Sequence, residues 1–250
     1  GGLYAGVTIS GGAGSAVNSG TIDSYFGVEF SGTYNNTLAD SGTIIGSGGA
    51  AIGFGSGNDL LLFQPSSSAF IQGTVDGGGG TNTLEFGTGG GTLTGQGADF
   101  VNFGQGTVDA GGPWSIDGNV TLGAGIDLTL LGNLVVAGTL ENAGTISQVG
   151  YLQIAAGGYL RNDASGTIVN DTAHSFFDPA VSAPNGGDVT IVNFGAIEDP
   201  AGNASIYLTA GGTVVNGSAT DTSALIRGLE GLYAYQGRAT VTNFGSIIGF

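Results

Sequence analysis

Cysteine, methionine and lysine are all missing from these 250 residues, and Arg161, Arg227 and Arg238 are the only permanent cations. Without cysteine, backbone ladders and not disulfides must hold the fold, which fits an extracellular or envelope protein. With 19 acidic residues against three arginines the formal net charge is −16. That balance argues against nucleic acid, whose phosphates would be repelled, and equally against anionic membrane surfaces. No run approaches the ~20 apolar residues of a membrane span, so direct insertion of this segment is not expected. No charged-then-apolar signal segment opens the chain and no initiator Met precedes Gly1, so the sequence reads as a piece of something longer. A 3.6-residue apolar period is also absent, which removes the helix signal.

What is present in excess is glycine, 53 residues of it, yet 40% of the chain is hydrophobic. Disordered chains lack that apolar content. Val, Ile, Leu and Thr fall in short runs, and the glycines between them, with Ser, Thr, Asn and Asp, suit frequent sharp corners. One pattern keeps returning: an aliphatic residue, a gap, Asn, a gap, Gly, a small residue, then Ile. It reads Val241-Thr242-Asn243-Phe244-Gly245-Ser246-Ile247 near the end, Ile191 to Ile197 before it, Asn142 to Ile146 in the middle and Val17 to Ile22 near the start. Asp40-Ser41-Gly42-Thr43-Ile44 substitutes Asp for Asn. Gly20 and Gly42, Gly73 and Gly95, Gly144 and Gly166, and Gly195 and Gly217 each lie 22 residues apart.

A β-branched residue followed by Asn and Gly describes a short strand that stops at a tight bend, since those two residues enter left-handed conformations most cheaply. A period of about 22 fits one coil of a parallel β-helix, about three short strands with their corners, each coil about 4.8 Å above the last. The expectation is an all-β solenoid of about 11 coils forming one elongated domain over residues 1–250. Stacked corners would bring Asn18, Asn142, Asn193 and Asn243 into a hydrogen-bonded ladder, with Gly20, Gly144, Gly195 and Gly245 at the bends. The pattern breaks at 171–187 and again near 218–238, and both read as loops off the rod. A bare parallel edge at either terminus is ready to pair with further coils or another chain.

The order of Ile52-Gly53-Phe54-Gly55-Ser56-Gly57-Asn58-Asp59-Leu60, Gly73-Thr74-Val75-Asp76-Gly77-Gly78, Asn102-Phe103-Gly104, Pro113-Trp114-Ser115-Ile116-Asp117-Gly118 and Gly138 to Ile146 resembles bacterial autotransporter passenger regions. The Asn-x-Gly-Thr-Ile repeats extend that resemblance over nearly the whole chain. It implies a right-handed parallel β-helix, exported to the cell surface and acting as an adhesin, an aggregation or biofilm factor, or a stalk. A signal peptide and a C-terminal barrel, which the resemblance also implies, do not lie within these residues.

Candidate chemistry is sparse. Gly57-Asn58-Asp59-Leu60-Leu61 resembles one calcium-binding nonapeptide turn, and Gly80-Thr81-Asn82-Thr83-Leu84 repeats it with Asn in the ligand position. Such rolls need stacked carboxylates and six or more oxygens, so Asp59 is expected to bind calcium weakly at most, and no cofactor is expected. Glu198 and Asp199 adjoin each other before Pro200 and look like a turn. His174, the single histidine, sits beside Ser175 with Asp171 and Asp178 nearby, but a Pro-bounded loop is a poor scaffold for a nucleophile and its base. No Lys follows any glycine cluster, so no phosphate loop is present. Trp114, Tyr151, Tyr159, Tyr207, Tyr233 and Tyr235 could form a sugar-stacking surface, though stacking within or along the rod accounts for them. Tyr233 and Tyr235, then Phe176 and Phe177, are the candidate contact surface.

The functional expectation is a non-enzymatic, secreted or cell-surface solenoid working in adhesion, self-association or mechanical extension, with itself or a surface glycan or protein as partner. A filament assembled end to end is a related alternative. A polysaccharide-degrading β-helix enzyme is the alternative from another class, and three arginines make its usual mixed-charge groove hard to build.

Overall fold

Alternation of apolar and polar residues over three to eleven positions produces the strands, each with one face inward. The computed structural model describes residues 4–65, 68–172, 178–184 and 187–250, and among these it contains strands and turns but no helix. The strands form a 16-stranded and an 11-stranded sheet, and every strand pair is parallel. In the smaller sheet the first paired residue moves from Ser15 through Thr37, Leu60 and Thr83 to Ser246 in ten steps. The chain is thus a parallel β-solenoid of about ten turns about 23 residues apart.

The cross-section changes along the axis. Early turns pair one long strand, such as Thr21–Ser31, Thr43–Gly53 or Gly91–Val101, with one short strand. Register shifts bend the long strands near Ser24, Ile45 and Asn119. At Trp114–Leu122 the long strand divides: its first part pairs with Leu134–Val136 and its second with Thr139–Asn142. From there on each turn carries three short strands.

Parallel register stacks like on like. Leu38, Leu61, Leu84, Gly106, Leu128, Ile146, Ile168, Ile197 and Ile226 form one column of the smaller sheet. At Gly106 the missing side chain is replaced by Leu128 Cδ1, which lies 2.8 Å from where a Cβ would stand. Leu140, Leu160, Ile191 and Val214 form a second column. Burying each such side chain contributes about 1.5–3 kcal/mol, and the contribution recurs at every rung. Between Phe30 and Trp114 the core carries aromatic rings beside the first column: Phe30 stacks on Phe54 at 5.0 Å, and Phe86 meets Trp114 edge-on at 5.3 Å. Trp114 is fully buried and donates its Nε1–H to Gly87 O at 2.8 Å, so it belongs to the core.

Two expected loops are corrected. Within 171–187, Val181–Ala183 is a rung strand that pairs with Leu152–Ile154 and Ala204–Leu208. Within 218–238, Leu225–Gly228 and Glu230–Ala234 are rung strands as well, and only the turn bridged by Ser218 and Asp221 departs from the stack. The extra residues are real: the steps from Thr167 to Ala196 and from Ala196 to Leu225 are each 29. Across both steps Val181, Ile206 and Ile226 still stand buried in the stack.

Candidate functional site

The asparagine corners form a buried polar ladder. Asn142 Nδ2 donates to Asn162 Oδ1, Asn162 to Asn193, Asn193 to Asn216 and Asn216 to Asn243, each at 2.8 Å. Each of the first four is fully buried at the end of a short strand. The same amides donate to the carbonyl of the corner glycine: Asn142 to Gly144 at 3.0 Å, Asn193 to Gly195 at 3.1 Å and Asn243 to Gly245 at 3.2 Å. Asn18 stands apart, at the end of another sheet, where it donates to Asp40 Oδ1 at 2.7 Å. Asn162 and Asn216 were missed because their glycines follow at four residues and at one, not at two.

The reason for the glycines differs from the expected one. Gly20, Gly144, Gly195 and Gly245 are not left-handed, and among the described non-glycine residues only Asn102 and Asp188 have positive φ. Close approach between rungs selects three of them instead: a Cβ at Gly144 would lie 2.3 Å from Ile126 O, one at Gly195 2.1 Å from Gly166 O and one at Gly245 2.2 Å from Ala224 O, while a Cβ at Gly20 would meet nothing within 4 Å.

Asp59 and Asn82 belong to a second buried ladder. Asp59 Oδ1 accepts from the backbone N–H and side-chain amide of Asn36 at 2.6 and 2.9 Å, and Asp59 N–H donates to Asn82 Oδ1 at 2.9 Å. The aspartate at the position of a calcium ligand therefore ties rungs together. Glu198 ends the strand Ala196–Glu198 and pairs with Arg227 at 2.6 Å, while Asp199 points inward and is fully buried. Arg161 pairs with Asp163 at 2.6 Å and lies 5.3 Å over the Phe194 ring. His174, Ser175, Phe176 and Phe177 lie outside the described residues.

One cleft gathers polar and aromatic groups. It measures about 180 Å³ and is lined by Asp178, Asn203, Tyr207, Glu230 and Tyr233 together with Pro179, Gly202, Ala204 and Leu229. Tyr207 and Tyr233 are in register on adjacent rungs and stack at 5.4 Å with 21° between ring planes. Tyr233 is thus a strand residue, while Tyr235, 61% exposed, is outside the lining. A tight turn shapes the opposite wall: Asp199 Oδ1 accepts the Asn203 N–H at 3.2 Å, and Asn203 O accepts from Leu229 N–H at 2.9 Å. Burial holds the Asp199 carboxyl above its ordinary value, against donors from Asn203, Gly202 and Ala201, and Asp178 pushes it the same way. Asn170 Nδ2 fastens the Asp178 carbonyl at 2.7 Å. Asn203, Asp178 and Glu230 carry no repeat signature and escaped sequence reasoning as a set. The 26-residue offset of Tyr207 and Tyr233 is the signal that aligned rungs would have supplied. Compared with known protein families, with curated proteins and with solved structures, the chain matches none of them.

Proposed function

We propose that the chain is a non-catalytic, passenger-type rod of the bacterial cell surface, serving adhesion or self-association and holding contact surfaces away from the cell. The observation that carries this reading is the inward column from Leu38 to Ile226, filled at Gly106 by Leu128, with buried polar ladders beside it. Such a stack spends its sequence on length and stiffness. About ten turns at about 4.8 Å give a rod about 50 Å long. The outward rows support the same reading, with Asp23, Glu29, Asp99, Asp117 and Asp127 exposed along the axis. Their like charge keeps a rod soluble and separates it from other acidic surfaces.

Display of the chain on a bacterium that neither aggregates nor attaches tests the proposal. Faster settling or new attachment to glycan- or protein-coated surfaces is the expected outcome, and cells indistinguishable from the parent refute it. Electron microscopy of the purified chain separates discrete rods from filaments. New reducing or unsaturated ends after incubation with glycans would overturn the non-catalytic part.

A further inference from the structure

We infer that the cleft between Tyr207, Tyr233 and Asn203 is a binding site for one ring of an uncharged saccharide. This rests on the surface-rod reading and names the chemistry that the rod would contact. Three observations carry it. First, the walls combine apolar surface from Tyr207, Tyr233, Leu229 and Pro179 with a few convergent polar groups, the usual composition of a small-molecule site. Second, Asn203 is 6% exposed, lines the cleft, and its side-chain amide makes no hydrogen bond among the described residues, although its backbone N–H and carbonyl are both engaged. The amide is not one of the wholly enclosed unpaired groups, so it is open to the cleft, where a ligand hydroxyl can supply both a donor and an acceptor. Third, the turn that presents Asn203 is fixed from behind by Asp199 and from the next rung by Leu229, so the backbone that carries the amide is set before any ligand arrives.

Size and charge select the class. At about 180 Å³ the cleft is below the roughly 300–1,000 Å³ of pockets for larger ligands, so it admits one ring at a time. Asp178 and Glu230 are the charged groups of the lining, and no cation stands among them. Carboxylates accept from sugar hydroxyls but repel uronates, sialylated and sulfated glycans. The aromatic wall takes the C–H face of a pyranose.

The test is titration calorimetry of the purified chain with neutral tetrasaccharides of glucose, mannose, galactose and N-acetylglucosamine, beside oligogalacturonate and oligoglucosamine. At least one neutral tetrasaccharide should bind with a Kd on the order of 0.1–1 mM. Tyr233→Ala and Asn203→Ala should each weaken it by roughly tenfold or more, and Tyr233→Phe should retain most of the affinity. Tyr235→Ala, outside the cleft, should change nothing. Circular dichroism and the melting temperature show whether each variant remains a rod. Absence of saturable neutral binding, binding confined to a charged oligosaccharide, or equal affinity in folded Tyr233→Ala and Asn203→Ala overturns the site. Rods that aggregate or attach cells without binding any tetrasaccharide refute the cleft alone and leave the surface-rod reading standing.

Discussion

Replacing Asn193 by Ala removes the middle of the buried ladder, and the hydrogen bonds around it set the size of the loss. Asn193 Nδ2 reaches Asn216 Oδ1 at 2.8 Å, Leu225 O at 3.0 Å and Gly195 O at 3.1 Å, while its Oδ1 accepts from Asn162. Gly195 O keeps the Leu225 N–H at 2.9 Å, and Asn162 Nδ2 keeps Gly166 O and Ala196 O. Asn216 Oδ1 has no such reserve and becomes a buried acceptor without a donor, which costs about 1–3 kcal/mol, with about 1 kcal/mol more for the other bonds lost. The combined penalty is about 3 kcal/mol. For a chain of this size that lowers the melting temperature by roughly 6–12 °C. Asn243→Ala at the exposed end of the same ladder should cost about 1 kcal/mol or less, since Asn216 Nδ2 retains Ser246 O at 3.0 Å. Asn193→Asp keeps the acceptor for Asn162 but turns an acceptor toward Asn216, so it should be worse than Ala at pH 7 and recover in acid. Urea midpoints and thermal melts of the three variants measure these differences. Equal shifts for Asn193→Ala and Asn243→Ala would refute the claim that the ladder works through burial.

Other rungs carry further expectations. Burial raises the Asp40 carboxyl above 3.8 despite donors from Asn18, Gly42 and Ser41. The fold therefore favours the protonated form: its contribution is full below the unfolded value and lost as pH rises through the folded one. Stability should accordingly fall as pH rises through the folded value of Asp40, and Asp40→Asn, which cannot ionise, should lose that part of the pH dependence; parallel stability–pH curves for the two would exclude this. Trp114→Ala should cost about 3–5 kcal/mol, and Trp114→Phe about 1–2 kcal/mol for the lost bond to Gly87, read by denaturant melts. The emission of Trp114, the single Trp, should be blue-shifted in the native rod and move to the red on unfolding. Gly53→Ala, with no atom within 4 Å of the new Cβ and no positive φ, should gain about 0.4–1 kcal/mol. Gly42→Ala, whose Cβ would lie 2.2 Å from Gly20 O, should lose stability in the same melts.

The period was legible because a solenoid repeats its environment, so the same residue types return at the same offset. Asn142, Asn193 and Asn243 announce themselves by the glycine two residues on, and Leu61, Leu84 and Leu128 by position in short apolar runs. What the period concealed is what departs from it. Val181–Ala183 reads as loop because Pro179 and Pro184 flank it, yet Val181 has only to match Ile206 to join the stack. The cleft was illegible for a related reason: Asp178 and Asn203 come from separate connections between strands, and only stacking brings them beside Tyr207. The acidic residue types likewise do not reveal their side of the wall, since Asp127 is exposed and Asp40, one ladder position from Asn18, is buried.

The ladders also explain where aspartate is tolerated inside the rod. An asparagine in mid-ladder must accept from one neighbour and donate to the next, as Asn162 and Asn193 do. Asp40 receives from Asn18, but the next rung carries Phe63 at the same register, which offers no acceptor to satisfy. A carboxylate can therefore end a ladder that runs from side chain to side chain, whereas Asp59 passes its own ladder on to Asn82 only through its backbone N–H. Beyond Asp40, Phe63 and Phe86 stack in register, with Trp114 of the larger sheet packed against both, so that aspartate marks the rung at which polar stacking gives way to ring packing. Phe63→Asn tests the boundary: it offers Asp40 a new donor but puts an amide against Phe86 and Trp114. Loss of the aromatic contacts, about 3–5 kcal/mol for a large-to-small change in a core, exceeds the gain of one charge-assisted hydrogen bond, about 1.5–3 kcal/mol. The single variant should be destabilised, and less so than Phe63→Ala; a penalty equal to that of Phe63→Ala would mean that Asp40 does not reach across the rung.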